Sequence, residues 1–295
     1  MPSEKPHIPV LLTETLLYLD PQPGDTVVDA TIGYGGHAAA ILPHLPAGRY
    51  VGFDMDPVAI AHCQKMLQDP RVTLIQGTTS EIAAELYKLG ISQVQKILVD
   101  LGMSSVQLDD PARGFSFQRE GSLDMRMNTN DDQSAADMLN TAPEETLTEI
   151  FEIYGEIRRP QRLVENILSK RRITPIRTTT DLVSLIKKSF YFRNQRRLYI
   201  RTCVQVFQAL RIATNNEITH LEALLKDIEM VLAPGGRVVF LTFHSLEDRT
   251  IKHWLKAHKR TFKALHSGVV KASQAEIKQN SRAHSARLRA MARIA

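Results

Sequence analysis

The chain has 295 residues, 43% of them hydrophobic and 23% charged, with two cysteines and a formal net charge of +5. That length supports a full core without disulfide or metal staples, and Cys63 and Cys203 have neither a disulfide framework nor metal-type spacing. No run of about 18 apolar residues occurs and Met1–Val10 lacks signal-peptide form, so no membrane span is expected and a cytoplasmic location is.

The net charge hides an imbalance: residues 1–150 hold 9 Lys/Arg against 21 Asp/Glu, and residues 151–295 hold 28 against 11. A basic half suits a polyanionic partner, because Lys and Arg neutralise phosphates and release counterions. A solvated basic tail fits the charge equally well.

In chain order, residues 11–19 read as a short amphipathic helix stopped by Pro21, Pro23 and Gly24. Strands are then expected at Thr26–Ala30, Arg49–Asp54, Val72–Gln76 and Ile97–Asp100, with helices at His37–Leu45, Pro57–Leu67 and Ser80–Leu89 between them. This alternation predicts an α/β fold, a doubly wound parallel sheet with helices on both faces. After Leu101 the rhythm breaks. Helices are expected at Ala135–Leu139, Pro143–Tyr154, Pro160–Lys170, Thr180–Lys188 and Val204–Ile212. It resumes with a helix at His220–Leu232, a turn at Pro234-Gly235-Gly236 and a strand at Arg237–Thr242. Residues 1–107 and 214–295 are therefore expected to form one core, interrupted by a helical insertion over 108–213.

The first strand runs into Asp29-Ala30-Thr31-Ile32-Gly33-Tyr34-Gly35-Gly36-His37. A glycine turn between strand and helix lets a ligand approach the backbone. Asp54 follows Gly35 by 19 residues, the spacing of an acid that accepts ribose hydroxyls. Asp29, just before the turn, would repel a pyrophosphate and favour a cationic ligand, which prefers S-adenosylmethionine over NAD; a buried cap on the glycine turn is the other reading of it. Asp100 and Gln107 sit at or beyond the fourth strand's carboxyl end, where doubly wound sheets hold ligands. Ser104, Ser105, Asp109 and Asp110 there read as turn chemistry. Asp109–Phe117 with Leu123–Met127 reads either as a base-stacking lid or as packed structure. His244 and Glu247 read as a helix start, and Ser245 and Asp248 have capping-box spacing. No zinc site is expected, for want of a His/Cys cluster.

Together the strings DATIGYGGH, DMDP, DLGMSSVQLDDPARGFSF, LDMRM, FQALRIATNNE and FHSLEDR resemble the bacterial ribosomal RNA small subunit methyltransferase H family, from His7 to about Arg293. The resemblance implies a class I (Rossmann-like) methyltransferase with S-adenosylmethionine as donor and 16S rRNA, within the small ribosomal subunit, as partner. It implies methylation of the exocyclic N4 amine of one cytidine at the decoding centre, and an insertion that recognises the RNA. It places donor contacts on Gly35, Gly36, His37, Asp54, Asp100 and Gln107. A further contact, an aromatic in the family, falls on Thr79, which cannot stack on adenine. Ile157 and the absence of His-Pro-Ala before the segment ending in FQALRI are further departures.

Asp100 is the first candidate for the catalytic acceptor, with His244 and Asp124 as lesser ones. Arg193, Arg196, Arg197, Arg201 and the tail from Arg249 are the expected RNA footprint. Three alternatives stay open at this point: an NAD-linked oxidoreductase, a DNA cytosine-amine methyltransferase lacking the usual Pro-Pro-aromatic loop, and an RNA-binding factor of the same fold without turnover.

Overall fold

The computed structural model describes residues 9–193 and 195–295. The expectations for the first eight residues, His7 included, lie outside them. The chain divides into two compact units. One is built from both flanks, up to Gly102 and from Ile218 on; the other is continuous, Met103–Glu217.

In the first unit α1 (Leu12–Leu19) stops at Asp20, which takes φ 50° ahead of Pro21. β1 (Thr26–Asp29), α2 (Gly36–Ile41), β2 (Arg49–Asp54), α3 (Pro57–Met66), β3 (Val72–Gln76), α4 (Ile82–Lys88) and β4 (Val94–Asp100) follow in the expected alternation. Pro57 opens α3 where a missing N–H costs nothing, and the Asp56 carboxylate accepts from Val58 N–H to cap it. β4 begins at Val94, ahead of the expected Ile97. A charge at position 96 hides the strand in the sequence, yet the Lys96 ammonium is buried 3.6 Å from Asp25. Burial pulls its pKa down, and Asp25 partly offsets this.

The continuous unit contains α5 (Ser105–Asp109), α6 (Ala135–Thr141), α7 (Glu144–Glu149), α8 (Gln161–Arg171), α9 (Thr179–Ser189) and α10 (Arg196–Thr214). α7 runs on into one wide turn, Ile150–Tyr154. α10 begins eight residues before the expected Val204, because its first two turns are largely exposed and show no apolar period. The segment from Asp109 to Met127 is packed structure: Phe115, Leu123, Met125 and Met127 are buried. Asn215 clamps it, donating to the Met125 carbonyl at 2.7 Å and accepting Met127 N–H at 2.6 Å.

α11 (Glu217–Val231) returns the chain to the first unit, followed by β5 (Leu232–Thr242), α12 (Ser245–Ala257), β6 (Phe262–Ala264), β7 (Val270–Lys271), α13 (Gln274–Gln279) and β8 (Arg287–Arg293). The expected turn at Pro234-Gly235-Gly236 lies inside β5. Val94 pairs with Leu232 and Lys96 with Arg237, so the extra residues bulge from the ladder with Gly235 at φ 77°.

The sheet order is β3-β2-β1-β4-β5-β8-β6, with β7 also paired to β8. β3 through β5 in that order are parallel, and β8 is antiparallel to each of its partners. Alternate strand residues feed two cores. Val28, Val51, Ile97, Val99, Val238 and Phe240 pack with α4, α11 and α12. Val27, Tyr50, Leu98, Val239 and Leu241 pack with α1, α2 and α3. The basic tail is thus part of the sheet unit. Arg289 Nε and Arg287 Nη1 hold Asp248 at 2.7 and 3.2 Å, and Arg293 donates to the Leu232 carbonyl. These three arginines, expected in the RNA footprint, are spent on the fold.

Candidate functional site

From β1 the chain winds outward through β2 to β3, then crosses to β4 on the other side of β1. Ligands in open α/β sheets sit outside the carboxyl ends at such a reversal. Asp29 ends β1, Asp54 ends β2 and Asp100 ends β4.

The glycine turn is built for close approach. Gly33 and Gly35 take φ 53° and 78°, where a side chain is strained. A Cβ on Gly35 would also lie 2.5 Å from Met66 Cε and 3.3 Å from Cys63 Sγ. The Cys63 thiol donates to the Gly33 carbonyl at 3.2 Å, and burial pushes its pKa up to about 12, so it serves as packing rather than as a nucleophile. Gly36 opens α2 and His37 follows it, buried.

Asp54 fixes this turn to β2. Its two oxygens accept Gly33 N–H at 2.8 Å and Asp56 N–H at 2.9 Å. A carboxylate offers about four lone-pair sites, so room remains for hydroxyl donors. Asp29 accepts the Tyr50 hydroxyl at 2.6 Å and Thr31 N–H at 3.2 Å. Burial raises both acids to about 6, Asp29 against the pull of Tyr50 and His37, Asp54 against its two backbone donors. The acids also repel one another: Asp100 raises Asp29, and Asp29 raises Asp54. A cation arriving here relieves that repulsion.

Asp100 and His37 meet, with His37 Nε2 3.5 Å from Asp100 Oδ2. Among the described residues both ring nitrogens of His37 and Oδ1 of Asp100 are buried without a hydrogen-bond partner. Unsatisfied buried polar atoms cost about 1–3 kcal/mol each, which a polar ligand can recover. Thr31 Oγ1 accepts Asp100 N–H at 2.7 Å and pins the end of β4 beside β1.

Thr79 lies half-buried in a short turn after β3, next to a capping box in which Thr78 and Glu81 satisfy each other. Ser80 Oγ in the same turn lies 3.0 Å from His220 Nδ1 of α11. Gln107 belongs to the continuous unit. There its Oε1 accepts Ser104 N–H at 2.9 Å, and Ser104 Oγ accepts Gln107 N–H, capping α5. Asp110 likewise caps the turn Pro111–Arg113. The Asp124 carboxylate is gripped by Arg126 at 2.7 Å through both oxygens. Burial would raise its pKa, but the Arg126 bonds hold it below the usual range, so it is a poor proton acceptor. α12 is capped by His244 and Glu247, not by Ser245 and Asp248. Glu247 Oε2 accepts Phe243 and His244 N–H at 2.8 and 3.2 Å, and Asp248 turns to β8. Tyr50, Thr31 and His220 escaped the sequence reading. Tyr50 pairs with Val27 across β1 and β2 and reaches Asp29 two residues further on; neither it nor His220 carried a sequence signal.

A dinucleotide-binding sheet closes on a sixth parallel strand. Here the final strand, β8, runs the other way between β5 and β6. That reversal, joined to acids on three adjacent strand ends, defines a class I, Rossmann-like methyltransferase. The family follows from sequence comparison. The profile of the MraW methylase family matches residues 4–294, and the chain belongs to that family. The ribosomal RNA small subunit methyltransferase H of Desulfotalea psychrophila is 40% identical over 298 residues, covering 100% of both chains. That of Carboxydothermus hydrogenoformans is 38% identical over 307 residues and 98% of both. A solved rRNA methylase from Streptococcus thermophilus aligns over 96% of this chain and 95% of its own, at 12% identity and a TM-score of 0.42.

Proposed function

We propose that the protein transfers a methyl group from S-adenosylmethionine to the exocyclic N4 amine of one cytidine in the decoding centre of 16S rRNA, in the small ribosomal subunit and the cytoplasm. One observation carries the donor assignment: buried Asp29 and half-buried Asp54 and Asp100, mutually repelling, surround a glycine turn, and among the described residues polar atoms of His37 and Asp100 are left unmet. A nucleoside with a sulfonium and an ammonium group answers each of these needs, and a pyrophosphate answers none. The names of the relatives support RNA of the small subunit as acceptor. Among the described residues no helix is long and apolar enough to cross a membrane.

In this reading the backbone at Gly35, Gly36 and His37 lies along the donor, and Asp54 takes the ribose hydroxyls. Thr79 borders the adenine without stacking on it. Bound S-adenosylmethionine supplies an electrophilic methyl on sulfur. The cytosine amine is a poor nucleophile because its lone pair is delocalised into the ring. Asp100 accepts one amine hydrogen and keeps the lone pair directed along the line of attack. With the donor bound, Asp100 would take the amine proton as the N–CH₃ bond replaces the S–CH₃ bond, the sulfur keeping the electron pair as neutral S-adenosylhomocysteine. Most of the gain is positional. The base must be presented unstacked, which favours flexible or single-stranded RNA.

The test is transfer of labelled methyl to unmodified small subunits, followed by digestion and identification of the nucleosides. Label in N4-methylcytidine is the expected result; label in another nucleoside, or donor binding without transfer, overturns it.

The acids also set a pH dependence. Asp29 and Asp54 bind the donor as anions, and both titrate near 6 in the free protein. Donor affinity, measured by calorimetry, is expected to hold above pH 7 and to drop about a hundredfold by pH 5, about tenfold for each acid. The fold alone behaves oppositely. Folded pKa values of about 6 stand above the ordinary value of 3.8, so these acids stabilise the free protein most below 3.8. That contribution is lost as pH rises through 6. Donor-induced thermal stabilisation should therefore be larger at pH 7.5 than at pH 5, and an equal shift at both would remove these acids from the donor site.

A further inference from the structure

We infer that the junction of α9 and α10 is a stacking platform for single-stranded RNA, an inference that rests on the RNA reading above and gives it a place on the molecule. From residue 182 to residue 216 the sequence has no Asp or Glu. It has seven Lys/Arg, of which Arg211 is buried against Glu217 at 2.7 Å. The other six, Lys187, Lys188, Arg193, Arg196, Arg197 and Arg201, are exposed, and among the described residues none pairs with a carboxylate.

Aromatic rings are interleaved with these cations. Tyr191 is 77% exposed, with the Arg193 guanidinium over its ring at 5.7 Å. Phe192 meets Tyr199 edge-on at 5.4 Å and Phe190 at 6.3 Å, and Lys187 Nζ lies 5.5 Å from the Tyr199 centroid. The inner rings brace one another, so Tyr191 is presented from a stiff base. Gln195 N–H donates to the Phe192 carbonyl at 2.6 Å and tightens the same turn.

The combination selects the partner. Cations without acids call for a polyanion. An exposed tyrosine backed by a guanidinium calls for a flat group, and unstacked bases offer one per nucleotide. Duplex RNA presents phosphates and 2′-hydroxyls but no free base faces, so it would leave Tyr191 unused. An acidic protein would meet the charge but not the ring.

The probe is a fluorescein-labelled single-stranded RNA of about 12 nucleotides, with a duplex of equal length beside it. Anisotropy with the full chain is expected to show preference for the single strand. Tyr191→Ala should weaken that binding about tenfold with an unchanged salt slope, and Tyr191→Phe should restore it. Arg196→Gln with Arg197→Gln should instead flatten the salt slope by about one to two. Tyr191 is solvent-facing, so its variants should melt with the native chain. Equal affinity for duplex and single strand, or native affinity in Tyr191→Ala, overturns the platform. So does loss of a dimer in Tyr191→Ala with RNA binding intact, since the face would then join copies of the chain. Methylation of small subunits is measured in parallel. Turnover with Tyr191 irrelevant sinks the platform alone; Tyr191-dependent RNA binding without turnover sinks the enzymatic reading alone.

Discussion

Asp100→Asn is expected to lower methyl transfer by about 10²–10⁴-fold, the range of a lost proton acceptor, while donor affinity is largely retained. The substitution keeps the shape, the Thr31 bond to the backbone at position 100 and an oxygen toward the ligand. It removes the charge that takes the amine proton. In the proposed reading Asp29 and Asp54 remain to hold the cationic donor. Single-turnover rates with saturating donor, set beside calorimetric donor affinities, separate the two roles. Turnover and affinity falling together would make Asp100 a donor contact and leave the acceptor to another residue. His37→Gln belongs in the same series. It removes the imidazole 3.5 Å from Asp100, and a shifted pH profile rather than a uniform loss would show that the histidine acts through that carboxylate.

The second large effect concerns stability. Gly121→Ala is expected to destabilise the continuous unit by about 3–4 kcal/mol. A Cβ there would lie 1.8 Å from the Pro111 carbonyl oxygen and 2.6 Å from its carbon. Neither side can yield. Gly121 N–H donates to Thr179 Oγ1 at 3.1 Å, Thr179 N–H returns to the Gly121 carbonyl at 3.0 Å, and Ser122 bridges Thr178. Gly24→Ala is the control, because nothing lies within 4 Å of its Cβ position. Urea unfolding followed by circular dichroism and limited proteolysis reads both. Equal midpoints for the two variants would mean that the loop shifts at little cost.

The candidate donor site was legible in the sequence where one local rule sufficed. Asp54 stands where a ribose-binding acid should, and the structure ties it to Gly33 within the turn. β2 and β3 have their expected bounds because nothing charged interrupts their apolar runs. Misreadings arose where a charge found a distant partner. Lys96 inside β4 depends on Asp25, and the arginines of β8 depend on Asp248 of α12. A reading that treats each cation as solvent-facing sees a tail where there is a strand. His244 and Glu247 form the helix start their position suggests, whereas the capping-box spacing of Ser245 and Asp248 goes unused because Asp248 pairs with β8. Gln107 and Thr79 came from family resemblance; no spacing rule points to either.

The pairing of β4 with β5 joins Lys96 to Arg237 across the continuous unit, Met103–Glu217. During synthesis, the first four strands emerge well before their central neighbour exists. Left unfolded, a loop of that length would cost about 4 kcal/mol to close by the (3/2)RT ln n rule. A segment that folds early on its own local contacts removes much of that cost. Damage such as Gly121→Ala should then slow assembly of the sheet as well as weaken its own unit. The order of birth along the chain thus makes the folding of the insertion a timer for the completion of the sheet.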